Sequence, residues 1–378
     1  MKARKAIAIG GNIVSPLGFT AEDCFRAVLE GRSGVRRHEG TFGIPEPFGA
    51  SLLDREEVFA RAASEGITGR SLFETALLLS ASDAIRRSGI DPSSERVAFV
   101  ISSIKGNVED ISENEDSVPV SVTASHVARF FNSPNVPLVV SNACISGLTA
   151  LIHARRMLLG GRFDHVVVCG AEVQSRFIVS GFLSLKAVSG NLCRPFDAER
   201  CGLNLGEAAA TMVVSAVDSV PEGAWELVDG ATRNDANHIS GPSRTGEGGY
   251  KTLRYVMESC DPSELAFVNV HGTSTLYNDE MESIALHRAG LSDVPVNALK
   301  GFFGHTMGAA GILESLISMQ AADAGVVLAT RGYEKCGVSC PVNVLPENRV
   351  TDKTAFIKLL SGFGGCNAAM LFRKGGLR

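Results

Sequence analysis

The 378-residue chain reads as an α/β protein made of two similar halves, residues 1–216 and 217–378. Three observations predict this. Short β-branched runs alternate with longer amphipathic stretches along the whole chain. The short runs are apolar at successive positions, the pattern of strands covered by helices on both faces. The alternation also ends near "SAVDSVPEG" (215–223), where Pro and Gly mark a connection, and then starts afresh.

In the first half "KAIAIGG", "RVAFVISS", "VPLVVSN", "HVVVCGAE" and "AATMVVSAV" predict strands. Between them "AEDCFRAVLEG", "RSLFETALLLSASDAIRRSG" and "SGLTALIHARRMLLGG" show helical spacing with Gly near their ends. The acidic stretch "GNVEDISENEDSVPVSVTAS" predicts an exposed loop or cap. In the second half "AWELVDGATR", "AFVNVHG" and "VPVNALK" predict strands, and "YKTLRYVMESC", "DEMESIALHRAG" and "AAGILESLISMQAADAG" predict helices. "TAFIKLLSGFGGCNAAMLFRK" closes the chain as two strands around a glycine-rich turn.

Composition narrows the function. A formal net charge of −5 and the lack of a dense Lys/Arg run argue against binding to nucleic acid backbones. No apolar run approaches the roughly 20 residues needed to span a bilayer. The opening "MKARKAIAIGGNIV" is interrupted after Ile9 by Gly-Gly-Asn, which favours a first core strand over a signal peptide and predicts a cytoplasmic protein. Nine cysteines scattered from Cys24 to Cys366 are not a secreted disulfide framework. Cys336 and Cys340 in "CGVSC" are close in sequence, yet no matching Cys or His pair lies near them, so no metal is expected.

Three places can carry chemistry. Cys144 in "VVSNACISGL" stands where a strand turns into a helix. A buried thiol serves packing there equally well, but helix-end N–H groups and the dipole favour thiolate, so a resting anion near neutral pH is one expectation. His271 lies just beyond a buried strand in "VNVHGTSTLYNDEMES", at the strand end where α/β proteins bind ligands. Thr273 and Thr275 beside it offer hydroxyls suited to amide groups, while Asp279 and Glu282 read as charges that complement a helix start. Lys300 and His305 in "LKGFFGHTMGAAG" precede small residues that permit close approach of helices or of a ligand. A thiol with two imidazoles suits acyl transfer through a thioester.

"NACISG", "RPFDAERCGLNLGEAA", "VHGTSTLYND", "LKGFFGHTMGAAG" and "GFGGCN" occur in this order. Together they resemble the successive signatures of the elongating β-ketoacyl-[acyl-carrier-protein] synthases, over about residues 5 to 373. The resemblance implies a thiolase-like, five-layered αβαβα fold, usually dimeric. It implies that Cys144 takes an acyl chain from acyl carrier protein. His271 and His305 would promote decarboxylation of malonyl-carrier protein, with Lys300 and Glu314 in support. Phe363 would gate the site, and its N–H and that of Cys144 would form an oxyanion hole. Thr273 and Thr275 would hold the phosphopantetheine arm, which arrives on the carrier, so no resident cofactor is implied.

The chain departs from the family pattern at Cys201 (usually aspartate), Ala208 (usually glycine), Phe302 and Phe303 (usually small or polar) and Cys366 (usually threonine). Two other readings share the fold. One is a biosynthetic thiolase, which uses a second cysteine where this chain has His305. The other is a non-catalytic ketosynthase-like subunit of a heterodimer, which lacks the nucleophile that Cys144 supplies here.

Overall fold

In the computed structural model, which describes residues 4–376, the first half forms β1 (Lys5–Val14), β2 (Val97–Ser102), β3 (Leu138–Val140), β4 (His165–Glu172) and β5 (Ala208–Val217). The second forms β6 (Trp225–Asn234), β7 (Leu265–Asn269), β8 (Pro295–Asn297), β9 (Asn343–Val344), β10 (Ala355–Gly362) and β11 (Cys366–Lys374). The first five strands lie in the order β1-β5-β4-β2-β3, with β5 antiparallel to both neighbours and the last three parallel. From β6 the order β6-β11-β10-β7-β8 repeats the same positions and directions, and β9 adds an outer strand. What restarts in the sequence is therefore a topology. Ile7 and Ala8 pair with Glu226 and Trp225, so hydrogen bonding continues through all 11 strands.

The helices are α1 (Ala21–Leu29), α2 (Arg55–Ser64), α3 (Leu72–Ser88), α4 (Val120–Phe130), α5 (Ser146–Leu159) and α6 (Arg176–Ser184), then α7 (Glu247–Val256), α8 (Leu276–Arg288), α9 (Lys300–Phe303) and α10 (Ala310–Asp323). Helix α3 covers β1, β4 and β5 from outside, and α7 covers β6 and β11 with α8 beside it. Helices α5 and α10 pack together and touch strands of both halves. These are the five layers. Strand alternation divides the core accordingly: Val166 and Val168 face the central layer while Val167 and Cys169 face the α3 side. In β10, Phe356 faces the centre and Ile357 the outer layer.

Glycine brings the two central helices together. A Cβ on Gly311 of α10 would stand 2.1 Å from the Leu148 nitrogen, and one on Gly147 of α5 would stand 2.7 Å from the Gly308 oxygen. The small residues of "GHTMGAAG" thus serve a helix contact rather than a ligand. That contact joins the start of the helix after Cys144 to the segment after His305, which lie in different halves of the chain.

The segment 106–125 is an exposed loop over residues 111–116, as the sequence predicts, and departs from that only at its ends. Part of it is a loop with two 3-10 turns, but α4 begins at Val120, and Asn107 is buried. The Asn107 side chain donates to Thr123 Oγ1 at 3.2 Å and to the Ser117 carbonyl at 3.2 Å, and accepts from Ser71. One internal amide organises the acidic stretch, which charge patterning alone does not reveal. Among the described residues no helix is long and apolar enough to cross a membrane.

Candidate active site

Cys144 is set by a strained elbow. Ala143 adopts a φ of 44°, in the left-handed region, at a cost of about 1–2 kcal/mol for a residue with a Cβ. The Asn142 N–H donates to Ser146 Oγ at 2.8 Å, and that hydroxyl donates to the Ala143 carbonyl at 2.6 Å. Ser146 is the first residue of α5, so the elbow is tied to the helix behind it. Backbone strain held by such local bonds clusters at functional sites.

The sulfur is buried, and burial opposes the expected resting thiolate. Burial pushes the Cys144 thiol up to about 12, and Cys366 adds to the effect. Lys300 and the Phe363 N–H, which points at the sulfur, offset it only in part. Desolvation disfavours the charged thiolate wherever water is excluded. Nucleophilic attack at neutral pH therefore requires a group that accepts the thiol proton.

Two imidazoles lie close enough to the sulfur to be candidates. One ring nitrogen from each of His271 and His305 lies with Cys144 Sγ in a cluster whose members are all within 4.8 Å of one another. The rings stand edge to face, with centroids 5.0 Å apart. Burial first, then the charge of Lys300, holds both imidazoles well below their usual pKa, so they are neutral. His305 Nδ1 accepts the Met307 N–H at 3.3 Å, which places the ring proton on Nε2, and Nε2 has no partner among the described residues. His271 Nδ1 likewise has none, so no hydrogen bond at that atom fixes the tautomer.

Each imidazole is held by its backbone. The His305 N–H donates to the Asn204 carbonyl at 2.7 Å. The His271 and Gly272 N–H groups donate to the two Glu282 carboxylate oxygens, each at 2.7 Å. The Thr273 N–H donates to Asp279 Oδ1 at 3.0 Å, and the Phe196 N–H to Asp279 Oδ2 at 2.7 Å. Both acids are fully buried. Burial pushes Asp279 up to about 6 and Glu282 up to about 7. Asp279 lies in the first turn of α8, as its place in the sequence predicts, and Glu282 follows in the next turn. Both do more than complement the dipole, because they fold the loop that carries His271. The signal in the sequence was two carboxylates spaced to reach back from one helical turn.

Behind the histidines, Lys300 Nζ meets Glu314 Oε1 at 2.9 Å with both side chains buried. Lys358, which the sequence reading passed over, meets Glu314 Oε2 at 2.5 Å and is also buried. In front lies a cavity of about 540 Å³ lined by Cys144, His271, His305, Thr273, Thr275 and Phe363, among others. The two threonine hydroxyls lie 2.9 Å apart. The Phe363 ring stacks on Phe182, with centroids 5.7 Å apart. Lys300 and Glu314 do not line the cavity.

The unusual residues divide into core and rim. Phe302 and Phe303 pack in the central core, and Ala208 is buried in β5. Cys366 Sγ approaches the Phe363 carbonyl at 3.3 Å. Cys201 is exposed at the cavity wall, 3.2 Å from Ser189 Oγ. Cys336 and Cys340 stand outside any close donor trio among the described residues. Cys144, His271 and His305 have metal-like spacing, but buried Lys300 and Lys358 nearby oppose a divalent cation.

Comparison with known proteins agrees with this architecture. Residues 4–219 match the family model "Beta-ketoacyl synthase, N-terminal domain", and residues 225–334 match "Beta-ketoacyl synthase, C-terminal domain". The chain is 28% identical to the 3-oxoacyl-[acyl-carrier-protein] synthase 2 of Vibrio cholerae, over 99% of this chain and 100% of that protein. It is 32% identical to the ketoacyl synthase alpha subunit of the tetracenomycin polyketide synthase of Streptomyces glaucescens, over 68% of this chain and 64% of that one. Among solved structures, a beta-ketoacyl synthase from Burkholderia phymatum superposes with a TM-score of 0.86 at 24% identity, covering 99% and 100% of the two chains. A ketosynthase in complex with its chain length factor, from Xenorhabdus doucetiae, gives 0.87 at 20% identity, covering 98% of each. The thiolase-like architecture, the matched halves and the full-length relatives together establish that the chain belongs to the beta-ketoacyl synthase family.

Proposed function

We propose that this protein catalyses decarboxylative condensation of an acyl group, held on Cys144 as a thioester, with malonyl-acyl-carrier protein. One observation carries the reading: the only close thiol–imidazole–imidazole cluster among the described residues opens into a cavity edged by paired threonine hydroxyls. In the first step a neutral imidazole, assigned to His271, takes the Cys144 proton as sulfur attacks the acyl thioester. The oxyanion accepts hydrogen bonds from the Cys144 and Phe363 N–H groups, and the carrier thiol leaves with the proton. In the second step the His305 Nε2–H, with His271 in its donor tautomer, binds the malonyl thioester oxygen. Carbon dioxide departs, negative charge gathers on that oxygen, and the enolate carbon attacks the Cys144 thioester. The C–S bond breaks, and the released Cys144 sulfur takes up a proton from solvent to restore the resting thiol. Thr273 and Thr275 hold the phosphopantetheine arm. Carbon dioxide release and the thioester supply the driving force, so the chemistry calls for neither a metal nor a redox cofactor.

The expected product is β-ketoacyl-carrier protein two carbons longer than the acyl donor, with one carbon dioxide per product. Mass spectrometry of carrier protein after incubation with purified enzyme tests this. Absence of both product and carbon dioxide would overturn the reading.

Acyl carrier protein is the proposed partner, together with a second ketosynthase chain. Strand β3 lies at one edge of the sheet, with Leu138 and the preceding Val136 exposed. An uncovered apolar edge of this kind supports extension by another copy. Sedimentation should give about twice the mass of the 39.9 kDa chain; a monomer at micromolar concentration would count against the homodimer.

A further inference from the structure

Lys358 occupies the middle of β10, in a run where Ala355 to Leu360 are all buried. A lysine in such a strand demands partners. It has three: Glu314 Oε2 at 2.5 Å, the Val270 carbonyl at 3.1 Å and the Asn269 carbonyl at 3.4 Å. Val270 directly precedes His271. On the opposite oxygen of the same carboxylate sits Lys300, whose short helix α9 leads through Gly304 into His305. The backbone at Gly304 is confined as well, because a Cβ there would stand 2.0 Å from the Leu205 oxygen. Glu314 on α10 is therefore the centre of a brace with one lysine arm toward each histidine.

We propose that Lys358 is a positioning residue for the condensation, the arm of a Lys300–Glu314–Lys358 brace that sets His271 against His305. The proposal rests on the functional reading above. Lys358 touches neither the cavity nor the thiol, so it acts through the imidazoles. Its charge also bears on both rings, which feel it in addition to that of Lys300. The other ionisable groups facing it are Glu314, Lys300 and Glu282, and the Glu282 carboxylate is already engaged by the His271 and Gly272 N–H groups.

The test is steady-state decarboxylation of malonyl-carrier protein by the full-length protein carrying Lys358→Met. The ammonium is lost while most of the stem is kept. The expected result is a fall in kcat of about tenfold or more with KM changed less than about threefold, because positioning is lost rather than substrate affinity. The acid limb of the pH profile should also move to higher pH, since an imidazole relieved of a neighbouring cation binds a proton more readily. Lys358→Gln retains a donor without the charge. It should recover part of kcat while leaving the acid limb displaced, and it carries the comparison if the Met variant melts below assay temperature. Variants with wild-type kcat and an unmoved acid limb would overturn the brace while leaving the functional reading intact. Wild-type protein that releases no carbon dioxide would overturn both.

Discussion

Cys144→Ala protein should acquire no acyl group from acyl-carrier protein, a loss of at least about 10³-fold in the labelling rate. Wild-type protein should show one acyl mass increment that hydroxylamine removes. The elbow is the reason no other thiol substitutes. Of the nine cysteines in the sequence, Cys144 alone forms a close cluster with both active-site imidazoles. Cys366 is the nearest challenger, but its sulfur faces the Phe363 and Asn142 carbonyls. Equal labelling of the alanine variant would remove the nucleophile from the account. The pH dependence follows from the same burial. With the thiol pushed up to about 12, the thiolate fraction keeps rising roughly tenfold per pH unit well beyond pH 9. Iodoacetamide alkylation of resting enzyme should therefore still be climbing at pH 10. A plateau near pH 7 would show a stable resting thiolate.

His305→Ala protein should lose decarboxylation of malonyl-carrier protein by about 10²–10³-fold, the usual effect of removing one aimed donor. It should still accept an acyl group on Cys144, because His271 remains to take the thiol proton. The tautomer underlies this division: Met307 fixes His305 as an Nε2–H donor, whereas no partner holds His271 Nδ1. The sign of the pH effect is set by the depressed imidazole pKa values. Both rings stay neutral as pH falls through their ordinary value near 6.5, so wild-type decarboxylation should persist without an acid limb at pH 6.5. Retained decarboxylation with lost acylation in the His305 variant would reverse the assignment.

The layers and the reacting groups were legible in the sequence because period and motif expose them. Apolar runs such as "HVVVCGAE" identify strands buried on both faces. Glycine-bounded helices mark the coverings, and Cys144, His271 and His305 stand at element ends. What the sequence concealed depends on burial and on contacts between distant segments. Asp279 and Glu282 carry the same charge pattern at an exposed helix start as in a buried loop clamp, and only the return of their carboxylates to the His271 loop separates the two. The thiol of Cys144 follows the same rule. Its position before a helix is visible, but the exclusion of water that dominates its protonation is a property of both halves packed together. Lys358 did leave a signal, a cation inside an unbroken apolar strand, whose partner Glu314 lies 44 residues away.

The account depends most on one sulfur and two imidazoles serving a single bound pair of substrates. A single-turnover experiment tests this directly. Enzyme acylated on Cys144 is mixed with malonyl-carrier protein labelled in the free carboxyl group, and carbon dioxide release is followed beside loss of the enzyme thioester. The two traces should share one rate constant and reach equal stoichiometry. Full release of labelled carbon dioxide while the acyl group stays on Cys144 would show that the thiol and the histidines do not act on the same reaction.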